Sequence, residues 1–192
     1  MQYIYFFGDC DSDKQSGDAN LLGGKGANLA GMSNLGIPVP PGFTITTQAC
    51  NYFMNNNYLP ENLDIDHAMH KIELNMNKKF GDAHNPLLVS IRSGAKISMP
   101  GMMETVLNVG LTEETVVGLA EISSNPRFAY DSYRRLIMMY ADVVMEKSNN
   151  LNLDIRIKLE NIISQYKQSN NITEDLKLNG DDYEQIALKF LK

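Results

Sequence analysis

The sequence predicts an α+β protein, with short strands among helices over about 1–110 and helices alone over about 111–192. Three observations carry this reading. Apolar residues alternate at the N-terminus and recur in short runs bounded by Gly and Pro. Stretches with helical spacing separate those runs. Beyond Leu111 the signals are continuously helical.

Tyr3, Tyr5 and Phe7 fall on one face of the first segment, with Ile4 and Phe6 on the other. Both faces are apolar, as in a strand covered on two sides. Polar residues Asp11 to Asp18 then form a turn or loop. Gly24 to Leu35 reads as a helix through Ala27, Leu29, Ala30, Met32 and Leu35, with Gly36 in place to end it. Proline keeps Ile37 to Gly42 extended, and Phe43 to Thr46 is a short strand. Thr47 can cap a helix reaching about Asn55. A longer helix follows Pro60, where Ile65, Met69, Ile72, Met76 and Phe80 form one stripe. Leu87–Arg92 and Glu104–Val109 are strands. Thr112, followed by Glu113 and Glu114, opens the helical part. Asn125-Pro126 is an N-cap followed by proline at the first helical position, and its helix runs to about Lys147. Tyr133, Leu136, Ile137, Tyr140, Val144 and Met145 form its stripe. Asp154 to Gln168 is a further helix, and Asp181 to Glu184 opens the last with a capping-box pattern. Phe190-Leu191-Lys192 falls in mid-helix, unlike a natural stop.

The 192 residues can bury a sizeable core without a metal or disulfide. A net charge of −6 and the absence of Trp argue against a general nucleic-acid binder and against an anionic membrane surface. No apolar run reaches the ~20 residues of a membrane span. The N-terminus lacks the basic start of a signal peptide. Cys10 and Cys50 make no disulfide framework and read as free thiols, so the expected location is cytoplasmic.

Three motifs could carry chemistry. In Leu21 to Leu29, three glycines and Lys25 lie at a helix N-terminus. Backbone N–H groups, the helix dipole and an ammonium together suit phosphate. It is not a Walker A loop, because Ala19 replaces the first Gly and Gly26 follows the lysine. A glycine turn with a solvated lysine would give the same spacing. In Leu88 to Ala95, an apolar strand delivers Arg92 and Ser93 to its end. Arginine offers a bidentate fork for phosphate oxygens, although an ion pair at a sheet edge explains it equally. In Ser98 to Thr105, Met99, Met102 and Met103 surround Pro100 and Gly101, which suits a surface that repacks or a buried connector.

Other constellations carry less. Asp9, Asp11 and Asp13 hint at a calcium loop, but Lys14 stands where that loop needs Gly and Asn20 where it needs Glu. His67 and His70 have no third ligand nearby. Asn171-Ile172-Thr173 is a sequon without meaning in a cytoplasmic protein.

Taken together, LLGGKGANLAGM, GIPVPPGFTITT, LLVSIRSGAKISMPGMMETVLNVGL and RFAYDSYRRLIMMYADVV resemble the N-terminal region of the pyruvate phosphate dikinase family. The resemblance runs from residue 1 to about 150 and continues more loosely to the end. The related pyruvate, water dikinases share the Gly-Gly-Lys and Pro-Pro-Gly-Phe segments. They lack the Met-Pro-Gly-Met-Met run.

The resemblance implies the N-terminal part of an ATP-grasp nucleotide-binding domain, with an inserted all-helical subdomain at 111–192. It implies an enzyme that interconverts ATP, phosphate and pyruvate with AMP, pyrophosphate and phosphoenolpyruvate. A phosphohistidine on a swivelling domain and a pyruvate barrel, neither within these residues, complete that enzyme. His67, His70 and His84 lie outside the catalytic-histidine motif. By the same resemblance, Lys25 and Arg92 match basic residues at the ATP phosphates. Gly101 and Met103 match a loop closing over them, and Arg135 matches a more distant arginine turned toward the nucleotide. Mg²⁺ is implied with ligands elsewhere, and a homodimer through a C-terminal part. Gly31 stands where the family usually has an acid, and the loop Asp9 to Gly17 is unusually acidic. The chain is therefore expected to be an N-terminal piece that is inactive alone. The alternatives are a non-catalytic nucleotide-binding or regulatory module and a fragment of a pyruvate, water dikinase.

Overall fold

The computed structural model describes residues 1–8, 18–93, 105–147 and 153–192. They form a mixed α+β structure in two compact units, one of residues 1–78 with Ser93 and the other of 79–92 with 105–192.

In the first unit, β1 (Ile4–Phe7) pairs antiparallel with β2 (Gly42–Ile45), setting Tyr5 opposite Thr44 and Phe6 opposite Phe43. Helix α1 (Ala19–Asn34) packs on this ribbon through Leu22, Ala27 and Ala30, which cluster with Tyr5. Gly36 ends α1 as expected. Its N–H donates to the Ser33 carbonyl and that of Ile37 to Met32, the paired bonds of a Schellman motif.

Helix α2 (Thr47–Asn56) is capped one residue earlier than the sequence suggested. The Thr46 hydroxyl accepts the Ala49 N–H at 3.3 Å, while Thr47 donates to the Asn20 carbonyl at 2.5 Å. Helix α3 (Ile65–Met76) is capped by Asp64. Its inward face centres on Ala68 and Ile72, and left-handed Asn77 ends it. The expected stripe therefore stops short, with Met76 and Phe80 largely exposed.

In the second unit, β3 (Val89–Arg92) pairs antiparallel with β4 (Thr105–Val109), with a register shift between Val89 and Ile91. Helix α4 (Thr115–Ser123) follows a turn in which the Thr112 hydroxyl accepts from the Glu114 and Thr115 N–H groups. Helix α5 (Pro126–Tyr140) starts as its sequence dictates, with Asn125 accepting the Phe128 N–H at 3.0 Å and proline in the first turn. Val106, Leu111, Val116, Ala129, Tyr133, Leu136 and Ala187 form one core cluster.

From Ala141 to Lys147 the chain continues as a π-helix. The wider turn breaks the 3.6-residue stripe. Met145 ends half exposed while Ala141 and Glu146 turn inward. The Glu146 carboxylate accepts the N–H groups of Leu153, Asp154 and Ile155 at 2.8–3.1 Å, so it caps α6 (Ile155–Ser169) from a distance in sequence. A 3-10 turn (Asp175–Lys177) leads to α7 (Gly180–Phe190). The capping box of α7 is built by Asn179 and Asp182, two residues earlier than the run Asp181 to Glu184 suggested.

Candidate functional site

The glycine-rich segment contains a break that defines its chemistry. Asp18 caps a first turn by accepting the Asn20 N–H at 2.8 Å. That turn ends at Gly23, whose φ of 69° and ψ of 168° are non-helical. This backbone region is open essentially to glycine alone. A fresh helical run begins at Gly24, which places Lys25 and Gly26 in its first turn. The N–H groups of a first turn have no partner within their own run and form the positive pole of the helix. Gly26 serves a different need. A β-carbon there would meet the Thr44 methyl at 2.7 Å and its hydroxyl at 2.9 Å, so this glycine lets α1 lie close on β2. The sequence had treated these glycines alike. Lys25 is half-buried, and its Nζ is withdrawn from solvent.

Arg92 is the last residue of β3 and stands opposite Thr105 of β4. Leu87 anchors the strand entrance, buried at 3% exposure, with its N–H on the Lys79 carbonyl at 2.8 Å. Alternation puts Ser90 and Arg92 on one face, and both are exposed. Gly101 and Met103 lie outside the described residues.

Arg135 projects from α5 in the same unit as Arg92. Its Nε–H donates to Asp131 Oδ2 at 2.9 Å, and its side chain is 64% exposed. The preceding residue differs sharply. Arg134 is 13% exposed, donates Nε–H and Nη2–H to Asp131 Oδ1, and lies 5.5 Å from the Tyr183 ring centre. Burial, with the Asp131 charge, raises the Tyr183 phenol above its ordinary value of 10.0. Asp131 went unnoticed in the sequence. Its i+3 and i+4 spacing to two arginines was the available signal.

Among the described residues, no three His, Cys, Asp or Glu side chains converge where a metal ion could be held. Among the same residues, no helix is long and apolar enough to cross a membrane.

Within the first unit, a glycine break followed by a lysine in the next helical turn is the kind of backbone arrangement that suits an anion. Residues 19–65 match the family model described as pyruvate phosphate dikinase, AMP/ATP-binding domain. More particularly, the chain is 48% identical over 174 residues to a pyruvate, phosphate dikinase of Clostridium symbiosum, covering 89% of this chain and 19% of that protein. The same enzyme of Rickettsia conorii is 43% identical over 192 residues, covering 98% of this chain and 22% of the relative. That of Entamoeba histolytica is 42% identical over 195 residues, covering 100% and 21%. The resemblance carried by the motifs thus extends over nearly the whole chain. The chain spans about a fifth of the length of these relatives.

Proposed function

We propose that this chain supplies the ATP-binding region of a pyruvate, phosphate dikinase. Such an enzyme converts ATP, phosphate and pyruvate to AMP, pyrophosphate and phosphoenolpyruvate through a phosphohistidine on another domain. The identity of 42–48% across nearly all of the chain carries the reading. We read residues 1–110 as an ATP-grasp part and 111–192 as an inserted helical subdomain, a functional division that differs from the compact units, which part between Lys78 and Lys79.

Phosphoryl transfer of this kind depends on positioning and charge stabilisation. Lys25 would meet phosphate oxygens with its ammonium beside a helix N-terminus. Arg92 and Arg135 would meet them with guanidinium N–H groups, and Gly101 and Met103 would belong to the covering loop. Each assignment stands by itself and is tested by itself. The 192 residues alone are expected to bind ATP with a dissociation constant on the order of millimolar, because few contacts must offset the entropic cost of association. No dikinase turnover is expected from them.

In an intact dikinase containing this region, Arg92→Ala should lower ATP-dependent phosphorylation of the histidine about 10²-fold. Phosphoryl exchange between that histidine and pyruvate should stay nearly unchanged. Arg92→Lys should recover only part, since an ammonium lacks the bidentate fork. Equal losses in both half-reactions would contradict the assignment.

A further inference from the structure

We propose that Asp131 is a positioning residue that presents the terminal edge of Arg135 to a pair of phosphate oxygens. The proposal rests on the nucleotide reading above and adds the residue that sets one of its arginines. Asp131 lies between neighbouring arginines and divides its oxygens between them. Oδ1 accepts Nε–H and Nη2–H of Arg134 at 3.0 and 2.5 Å, and Oδ2 accepts Nε–H of Arg135 at 2.9 Å. The carboxylate is 18% exposed, and its partners are 13% and 64% exposed.

Arg134 is the fixed side of this arrangement. Its Nη1–H reaches the Met138 sulfur at 3.1 Å, and its guanidinium lies against the ring of Tyr183, which is 5% exposed. Held by Arg134, the carboxylate cannot swing freely, so Oδ2 is a fixed acceptor for the next arginine. A guanidinium carries five N–H groups in one plane. With Nε–H engaged on Asp131, the remaining four belong to the two terminal nitrogens. That edge grips paired phosphate oxygens end-on. The trio retains one net positive charge, and the exposed arginine is the one that carries it to solvent. An exposed arginine otherwise loses rotamer freedom when it binds, and one already held at Nε loses less.

Asp131→Asn keeps one carbonyl acceptor and replaces the other oxygen by a donor, which removes the hold on Arg135. The test uses the 192-residue chain as wild type, Asp131→Asn, Arg135→Ala, both together, and Arg134→Gln. ATP affinity, thermal midpoint and the side-chain Nε–H signal of Arg135 by nitrogen-15 NMR are recorded for each. Asp131→Asn is expected to weaken ATP about 3–10-fold, a loss of order one fixed side chain, and to add almost nothing once Arg135 is Ala. It is also expected to erase a slowly exchanging Arg135 Nε–H signal. Arg134→Gln should lower the thermal midpoint and, by freeing the carboxylate, weaken ATP no more than Asp131→Asn does, again with almost no effect once Arg135 is Ala.

Equal weakening by Asp131→Asn in both backgrounds, or a lower midpoint with unchanged ATP affinity, would overturn the proposal and leave Asp131 a structural residue. An unprotected Arg135 Nε–H in the wild type overturns it regardless of ligand. A wild-type chain that does not respond to ATP overturns the nucleotide reading and the phosphate-gripping half of the proposal, while the Nε–H signal reports separately on the hold.

Discussion

The two compact units reach their packing by opposite means. In the first, Leu22, Ala27 and Ala30 of α1 meet Tyr5, and Gly26 omits a side chain so that helix and ribbon can approach. In the second, larger residues fill the space. Val116, Tyr133 and Leu136 join one cluster, and Leu178, Tyr183 and Ile186 form another. Polar bridges tie the second unit further, including Arg127 on the Leu178 carbonyl at 2.7 Å and Tyr166 on Asp182 at 2.9 Å. The first unit thus relies on backbone approach around the segment that holds Lys25. The second relies on buried side-chain area. A changed glycine should disturb the first most, and a truncated side chain the second.

The largest expected effect is in the second unit. Ile186 is fully buried on α7. Ile186→Ala should cost about 2–5 kcal/mol, the lost transfer energy plus the cavity left behind. Amide exchange should quicken in α5 and α7. Quickening confined to α1 would break the comparison.

Next comes Gly26→Ala, which should cost about 1–3 kcal/mol by overpacking against Thr44. Thr44→Ala in the same chain should recover most of the loss, because it removes the two nearest of the three atoms the new methyl would meet and leaves only Leu22 Cβ at 3.1 Å. Chemical denaturation of the single and double variants checks this. Failure of the second change to rescue would mean that Gly26 is needed for something other than close approach.

A smaller effect concerns pH. Burial, then the hydrogen bond to Glu184, pushes the Tyr130 phenol up to about 12 from its ordinary 10.0. The folded state therefore favours the neutral phenol. The associated stability is complete below about pH 10 and is lost as pH rises toward 12. Tyr133, Tyr166 and Tyr183 are raised as well, mainly by burial. Tyr130→Phe should flatten part of the alkaline loss in melts between pH 9 and 12. An unchanged alkaline slope would show that the phenol does not titrate with unfolding.

Local rules in the sequence located most elements, because their signals are local. Asn125-Pro126 named its helix start, and Gly36 named a helix end. The glycine-rich run and Lys25 were also legible, since glycines beside a lysine carry a backbone meaning. What escaped depends on tertiary contacts. The cap of α2 moved to Thr46 because Thr47 is drawn to the Asn20 carbonyl across the fold. The stripe on α5 holds at Val144, which packs on the core, but loses Tyr140, which is half exposed, and Met145, where the helix has widened to a π turn that buries Glu146, whose partners lie seven to nine residues ahead. The differing roles of Gly23 and Gly26 were illegible for the same reason. One is set by a dihedral angle and the other by a threonine on β2.

The most direct measurement of the central claim compares ligands that differ only in phosphate content. Adenosine, AMP and ATP are titrated into the wild-type chain and into Lys25→Gln, with amide chemical shifts followed along α1. The expected result is ATP binding that moves the signals of Gly24 to Gly26 and weakens about tenfold or more in Lys25→Gln, the scale of one charge-assisted contact. Adenosine should bind equally to both chains. An unchanged ATP affinity in Lys25→Gln, or an equal loss for adenosine, would contradict the assignment of this segment to the phosphates.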